Sequence, residues 1–258
     1  MNEKMKKVKC FLLDMDGTIC LDNDVFEGAV DAVERMKKQG RVLFLTNNSS
    51  KTPDGYVDKL NKMGFNVTLD NIYTSAMSAT DYLKTYHEGK KIYLFANKAV
   101  KEEFIRLGIK NEEKTPELAV IAFNTEFYYD ELEKLCNFIR EGVPFICTHD
   151  DINCPTVKGS KPDVGSYLAL IEKSTGKKPI AVCGKPYSIM GDCIRSICGL
   201  DSDEIAMFGD RLATDIKFGI NNNFVTTLVL TGEATQSDAE ESGLNIDFML
   251  PSICDWDK

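Results

Sequence analysis

Imidazole is scarce in this chain: only His87 and His149 occur in 258 residues. That leaves little scope for a zinc site built on histidine. No apolar run approaches the ~20 residues that a membrane-spanning helix needs. The lysines before Asp14 are followed by too few apolar residues for a secretory signal. Positive charge is in deficit, with 31 Lys and Arg against 40 Asp and Glu and a net charge of −9. The balance disfavours nucleic acid and anionic membrane as partners, since both attract basic surfaces. Nine cysteines are scattered without a CxxC spacing. Their odd number and the missing signal point to reduced thiols and a cytoplasmic protein. Repeats and low-complexity segments are also absent. What remains is an ordinary globular composition, 43% hydrophobic and 28% charged, with length for one large domain or two ordinary ones.

The stretch from Phe11 to Thr18 organises the rest. A short apolar run ends abruptly in Asp14-Met15-Asp16-Gly17-Thr18. Such a run reads as a buried parallel strand. Ligands of open α/β sheets bind beyond the carboxyl ends of strands, where these acids stand. At an extended strand end, positions i and i+2 share a face, so Asp14 and Asp16 come together. Two close carboxylates need a cation, or one of them takes a raised pKa. Taken alone, the same residues also fit an Asp-Gly turn closing a hairpin.

The chain beyond supplies context. Residues 19–26 read as a small polar-tipped flap, and Glu27 to Gln39 as an amphipathic helix stopped at Gly40. Arg41 to Thr46 is a buried strand running into Asn47-Asn48-Ser49-Ser50. Pro53 opens a helix to about Met63, and Ile72 to Ser75 is a third strand. Strand and helix alternate as in a doubly wound parallel sheet. From about Ala79 a second α/β unit follows. Its helices are expected at 81–88, 98–107, 130–141 and 164–173, and its strands at 91–95, 118–123 and 143–148. At Ile180 to Val182 the first pattern resumes and leads into Gly184-Lys185-Pro186. A helix at 188–198, a strand at 204–210 ending in Asp210, a helix start at 216–219 and a strand at 225–230 complete the chain. The expected domains are 1–78, 79–178 and 179–258, the first and last forming one core.

Four strand ends thus carry Asp14 and Asp16, Thr46 and Asn47, Lys185, and Asp210 with Asp215. Each has a dull alternative: Lys185 a turn lysine, Thr46-Asn47 a loop start, Asp210 a helix cap, Asp215 a first-turn acid. Together and in this order, at one sheet edge, they make a site for a hard divalent cation and a phosphate.

Asp14-Met15-Asp16-Gly17-Thr18, Leu45-Thr46-Asn47-Asn48-Ser49, Gly184-Lys185-Pro186 and Gly209-Asp210-Arg211-Leu212-Ala213-Thr214-Asp215 resemble the four ordered motifs of the haloacid dehalogenase-like (HAD) hydrolase superfamily. The likeness is greatest to its NagD-like branch, which includes 4-nitrophenylphosphatase and phosphoglycolate phosphatase types. The resemblance runs over nearly the whole chain. It implies a Rossmann-like core, an inserted α/β cap of the C2 type and Mg²⁺ as cofactor. The interval between Thr18 and Thr46 is filled by flap, helix and strand, so the cap falls between Thr46 and Lys185.

The resemblance also assigns roles. Asp14 is the nucleophile that forms an aspartyl-phosphate. Asp16 is the general acid and then base. Thr46 and the Asn47 amide hold phosphoryl oxygens, and Lys185 offsets charge. Asp14, the Asp16 carbonyl and Asp210 bind the metal, and Asp215 orients them from behind. The cap loop His149-Asp150-Asp151 is the expected substrate reader. Where relatives often carry Thr-Asn-Pro-Asp, this chain has Thr148-His149-Asp150-Asp151. The expected activity is phosphatase action on a small phosphorylated metabolite: a sugar or polyol phosphate, a phosphoglycolate-like acid or a nucleoside monophosphate. A phosphotransferase or mutase and a non-catalytic phosphometabolite-binding protein are the rival readings. A homodimer through the cap is a further implication of the resemblance.

Overall fold

The computed structural model describes residues 2–154, 156 and 159–258. The chain divides into two compact units. One comprises Met1–Thr46, Pro53–Tyr73 and Lys185–Lys258, and the other Asn47–Thr52 with Thr74–Gly184.

The first unit is built on a six-stranded sheet. Its order is Phe248–Leu250, Val225–Val229, Ile205–Gly209, Cys10–Leu13, Arg41–Thr46, Ile72–Thr74. The pairings from Phe248–Leu250 across to Arg41–Thr46 are parallel, and Leu13 stands opposite both Phe208 and Phe44. Every residue of Cys10–Leu13 is buried. That is why its sequence is a continuous apolar run and not an alternation: helices cover both faces. The helix Ala29–Gln39 buries Ala29, Ala32, Val33 and Met36, an i, i+3, i+4, i+7 face; of the stripe expected at Ala29, Val30, Val33 and Met36, Val30 is only half-buried and Ala32 takes its place. Phe11 packs edge-on against Trp256 at 5.1 Å between ring centres. The expected flap is a hairpin of Cys20–Leu21 and Asp24–Val25.

Chain order fixes where this sheet opens. After Cys10–Leu13 the chain winds outward through Arg41–Thr46 and Ile72–Thr74, and later returns to the opposite side at Ile205–Gly209. The winding therefore reverses between Cys10–Leu13 and Ile205–Gly209, where an open α/β sheet leaves a crevice at the strands' carboxyl ends.

The second unit has a five-stranded parallel sheet in the order Ala181–Val182, Phe145–Cys147, Leu118–Ile121, Lys91–Phe95, Lys110–Asn111. Helices Ser75–Tyr86, Lys98–Arg106, Tyr129–Arg140 and Val164–Thr175 accompany it. Its core gathers Tyr93, Phe95, Ile121, Leu135, Phe145 and Ile171.

Several expectations are corrected. The run at 180–182 does not resume the first sheet: Ala181 and Val182 pair with Ile146 and Cys147 of the second. A short apolar run before a glycine has the same pattern in either sheet, so periodicity cannot assign it. The changeover expected at 79 lies at Thr74, and that expected at 178 lies at Gly184. The helix thought to begin at 81 starts at Ser75, directly after the strand, with Thr74 Oγ1 accepting the Met77 amide at 3.2 Å. Small buried residues (Ser75, Ala76, Ser78, Ala79) hide this first turn from a hydrophobic-face search. The segment Asn47–Thr52 goes with the second unit through buried polar bonds. Ser49 Oγ lies 2.8 Å from Thr148 Oγ1 and accepts the Phe123 amide at 2.9 Å, and Ser75 Oγ donates to the Asn47 carbonyl at 2.5 Å. Among the described residues, no helix is long and apolar enough to cross a membrane.

Candidate active site

The site in the first unit is assembled at the winding reversal. Asp14 is the first residue beyond Cys10–Leu13, and its amide donates to the Phe208 carbonyl at 2.9 Å. Asp210 is the first beyond Ile205–Gly209. Asp215 is delivered by a wide turn, Leu212–Ile216, in which the Asp215 and Ile216 amides both donate to the Arg211 carbonyl. A turn with π-type spacing rotates its side chains away from α-helical positions, and such turns recur at functional sites. Ligand oxygens of Asp14, Asp210 and Asp215 all lie within 4.8 Å of one another.

Lys185 ties the acids together. Its Nζ donates to Asp14 Oδ1 and to Asp215 Oδ1, each at 2.6 Å. The lysine is 3% exposed. Burial opposes its charge, yet Asp14 and Asp215 outweigh that and hold its pKa above the ordinary value. Burial pushes the Asp210 carboxyl up to about 6, with the Asp14 charge adding to the effect. Burial likewise pushes Asp215 up to about 7, with Lys185 opposing and Asp14 and Asp210 reinforcing. Three carboxylates with one shared ammonium leave uncompensated negative charge in a dry space. An all-oxygen donor set of that charge fits a hard divalent cation.

The oxygens are not equivalent. Asp215 Oδ2 accepts the Arg211 amide at 3.2 Å. Asp210 Oδ2 accepts the Glu233 amide at 2.8 Å, and Thr18 Oγ1 donates to Asp210 Oδ1 at 3.4 Å. Asp14 Oδ2 accepts no hydrogen bond among the described residues. Two glycines allow Asp210 its position. A Cβ on Gly17, whose φ is +89°, would fall 2.2 Å from Asp210 Oδ2, and one on Gly232 would fall 2.0 Å from it. Thr231 Oγ1 closes the loop by donating to the Gly17 carbonyl at 2.6 Å.

Asp16 stands apart from the cluster of three. Its side chain is 51% exposed, with Lys59 Nζ 3.8 Å from Oδ1. Burial raises its pKa, Lys59 opposes, and Asp14 adds to the rise. Thr46 ends Arg41–Thr46 and is buried at the same sheet edge. Lys59, Arg211 and the Thr231–Glu233 loop also neighbour these carboxylates, beyond the residues expected from the sequence. Thr231-Gly232 after the last apolar run was the available signal for that loop, by the same strand-end logic. Lys59 sits on the helix Pro53–Lys62 and has no such signature.

In the second unit Asn47 Nδ2 donates to Asp151, at 3.3 Å from Oδ1 and 3.2 Å from Oδ2. His149 is corrected as a substrate reader: it is 0% exposed. Its Nδ1 lies 3.0 Å from Thr148 Oγ1 and its Nε2 2.9 Å from Asp163 Oδ1. Asp163 also caps the helix Val164–Thr175 through the Val164 amide. The imidazole is thus a buried brace between loop and helix. Asp150 is half-buried, and its carbonyl lies where a Cβ on Gly165 would stand.

Comparison with known proteins agrees with this geometry. Residues 11–110 match the haloacid dehalogenase-like hydrolase family, and residues 182–256 match the HAD-hydrolase-like family. An acid sugar phosphatase of Staphylococcus aureus is 32% identical over 243 residues, 93% of each chain. The structure of a 4-nitrophenylphosphatase from Thermotoga maritima superposes with a TM-score of 0.94 at 37% identity, covering 98% of this chain and 97% of that one. A glycerol phosphate phosphatase from Mycobacterium tuberculosis, solved in complex with magnesium, gives 0.90 at 25% identity, covering 98% and 77%. The chain belongs to the haloacid dehalogenase-like hydrolase family, in its NagD-like branch, and is a phosphatase.

Proposed function

We propose that this phosphatase is Mg²⁺-dependent and hydrolyses small phosphomonoesters through an aspartyl-phosphate on Asp14. Its substrates in this reading are sugar or polyol phosphates, phosphoglycolate-like acids or nucleoside monophosphates. The observation that carries it is the asymmetry of Asp14: Lys185 holds Oδ1 at 2.6 Å, while Oδ2 accepts no hydrogen bond among the described residues. One oxygen is fixed and the other is left for attack. Oδ2 attacks phosphorus as the bond to the leaving alcohol breaks, and Asp16 gives that alkoxide its proton. Asp16 then takes a proton from water, the water attacks the phosphorus of the acyl phosphate, and orthophosphate leaves Asp14 free. The upward push on the Asp16 pKa favours a carboxyl that can carry the first proton. Thr46 and the Asn47 amide hold the phosphoryl oxygens, and Lys185 steadies the charge on Asp14. Asp14, the Asp16 carbonyl and Asp210 would hold Mg²⁺, and the ion would supply charge neutralisation on the phosphoryl oxygens. Asp215 keeps Lys185 and the Arg211 backbone in place.

The M. tuberculosis relative solved with magnesium supports the choice of metal. Nine cysteines, all free of disulfides, support the cytoplasm. A homodimer through the second unit belongs to the same reading and is open to sedimentation analysis. The test of function is phosphate release from 4-nitrophenyl phosphate and a metabolite panel, with Mg²⁺, with EDTA, and with Asp14→Asn. Release that needs the metal and vanishes in the variant is expected. Folded, Mg²⁺-bound protein that releases nothing would overturn the proposal.

A further inference from the structure

The second unit has a winding reversal of its own. From Lys91–Phe95 the chain passes through the helix Lys98–Arg106 to the edge strand Lys110–Asn111. It then crosses back to Leu118–Ile121 and proceeds through Tyr129–Arg140 toward the other edge. The two outgoing helices leave on opposite faces, because such crossovers are right-handed. The carboxyl ends of Lys91–Phe95 and Leu118–Ile121 therefore part, as the core strands do at Asp14 and Asp210. A crevice of about 460 Å³ lies there, lined by Ala96, Lys98, Lys101, Asn124, Tyr128 and Glu131 among others.

Three observations say what the crevice takes. Asn124 is 1% exposed. Its Oδ1 accepts the Glu126 amide and its carbonyl accepts Tyr167 Oη, but its Nδ2 donates to nothing among the described residues. Without a protein partner, this donor is left to meet an acceptor in the crevice that its residue lines. Second, the helix Lys98–Arg106 begins at the crevice without a cap from Asn97, whose Oδ1 is turned to the Thr125 amide at 2.7 Å. Glu126 takes only the Lys98 amide, at 3.2 Å, while those of Ala99 and Val100 have no acceptor among the described residues. Third, two lysines occupy the first turn, where the helix dipole disfavours them. Lys101 is matched by Glu131 at 2.9 Å, whereas the Lys98 ammonium has no ion pair among the described residues.

Charge sets the valence. Lys98 and Lys101 balance Glu126 and Glu131, so the excess is that of the helix end, about half a unit positive. This suits one negative charge, not the two of a phosphomonoester. Tyr128 on the crevice lining is 80% exposed and offers a ring face for stacking. We infer that this crevice is a second binding site, for a small metabolite with a planar ring and a single negative charge: an aromatic carboxylate or a cyclic phosphodiester.

Neither class is a phosphomonoester, so binding can be measured apart from turnover. Calorimetric titration of the whole protein in EDTA uses nicotinate as the carboxylate, 3′,5′-cyclic AMP as the phosphodiester, and lactate as a ringless anion. One saturable site per chain is expected for nicotinate or cyclic AMP, and which of them binds tells carboxylate from phosphodiester. Lys98→Gln should weaken it about tenfold, the usual loss for a hydrogen bond to a charged group. Asn124→Asp, which keeps the acceptor for Glu126 and replaces the free donor by a charge, should abolish it. Asp14→Asn should leave it unchanged. Tyr128→Ala should weaken ring ligands alone. Absence of saturable binding, or binding indifferent to Lys98→Gln, would overturn the site. Lactate bound as tightly as nicotinate would overturn the ring requirement.

Discussion

Asp210 concentrates the demands of the site on one side chain. It is 2% exposed, and its carboxyl stands at about 6 because burial and Asp14 disfavour the anion. A folded carboxyl above its unfolded value of ~3.9 binds more protons than the unfolded chain between those pH values. Its contribution to metal-free stability therefore falls as pH rises from about 4 through 6. In EDTA, Asp210→Asn should raise the melting temperature at both pH 5 and pH 7.5, with a gain larger by about 1 kcal/mol at the higher pH. Equal melting shifts at both pH values would refute this. Added Mg²⁺ should stabilise the wild type more at pH 7.5 than at pH 5, since protons compete for the same oxygens. Gly232→Ala tests the position of the same carboxylate, because the new Cβ would stand 2.0 Å from Oδ2. It should cost about 1–3 kcal/mol in denaturant unfolding and weaken Mg²⁺ retention. The identity of the acids was legible in the sequence because each follows a buried apolar run. The partner of each was not. Nothing in Gly184-Lys185-Pro186 says that one ammonium bridges Asp14 and Asp215, and nothing near Pro53 marks Lys59 as a neighbour of Asp16.

At the scale of the element, the strand predicted at Arg41–Thr46 is found with those limits, and the helix ending at Gln39 ends there. Their signals are local: an unbroken apolar run, and an apolar stripe closed by glycine. The helix Gln236–Ser242 was missed although Thr235 and Asp238 form a capping box, because only Ala239 is buried and no stripe announces it. His149 departs from its expected place for another reason. A polar residue after a strand usually faces solvent, whereas this one is enclosed between Thr148 and Asp163. His149→Ala should cost about 2–4 kcal/mol in unfolding free energy by stranding the Asp163 carboxylate. At a temperature where the variant is folded, KM for 4-nitrophenyl phosphate should stay within about twofold of wild type. A large KM increase without loss of stability would restore the imidazole to the substrate.

At the scale of the molecule, alternation of strand and helix foretold two α/β units and the order of the core motifs. It could not foretell which sheet claims Ala181–Val182, because pairing is a long-range choice between equally apolar partners. Nor could it show that six residues after Thr46 belong with the second unit. That membership bears on engineering by recombination. A designer exchanging the insertion between two phosphatases would cut at 74 and 184 and keep 47–52 from the host. Ser49 would then face a foreign Thr148 and Phe123, and the Asn47 carbonyl a foreign Ser75. Such a graft should melt lower than one that also carries residues 47–52 from the donor, and differential scanning calorimetry of the two would show it. The transferable module is two separate pieces of chain, and the shorter one holds Asn47, Asn48 and Ser49 of the host's own second motif.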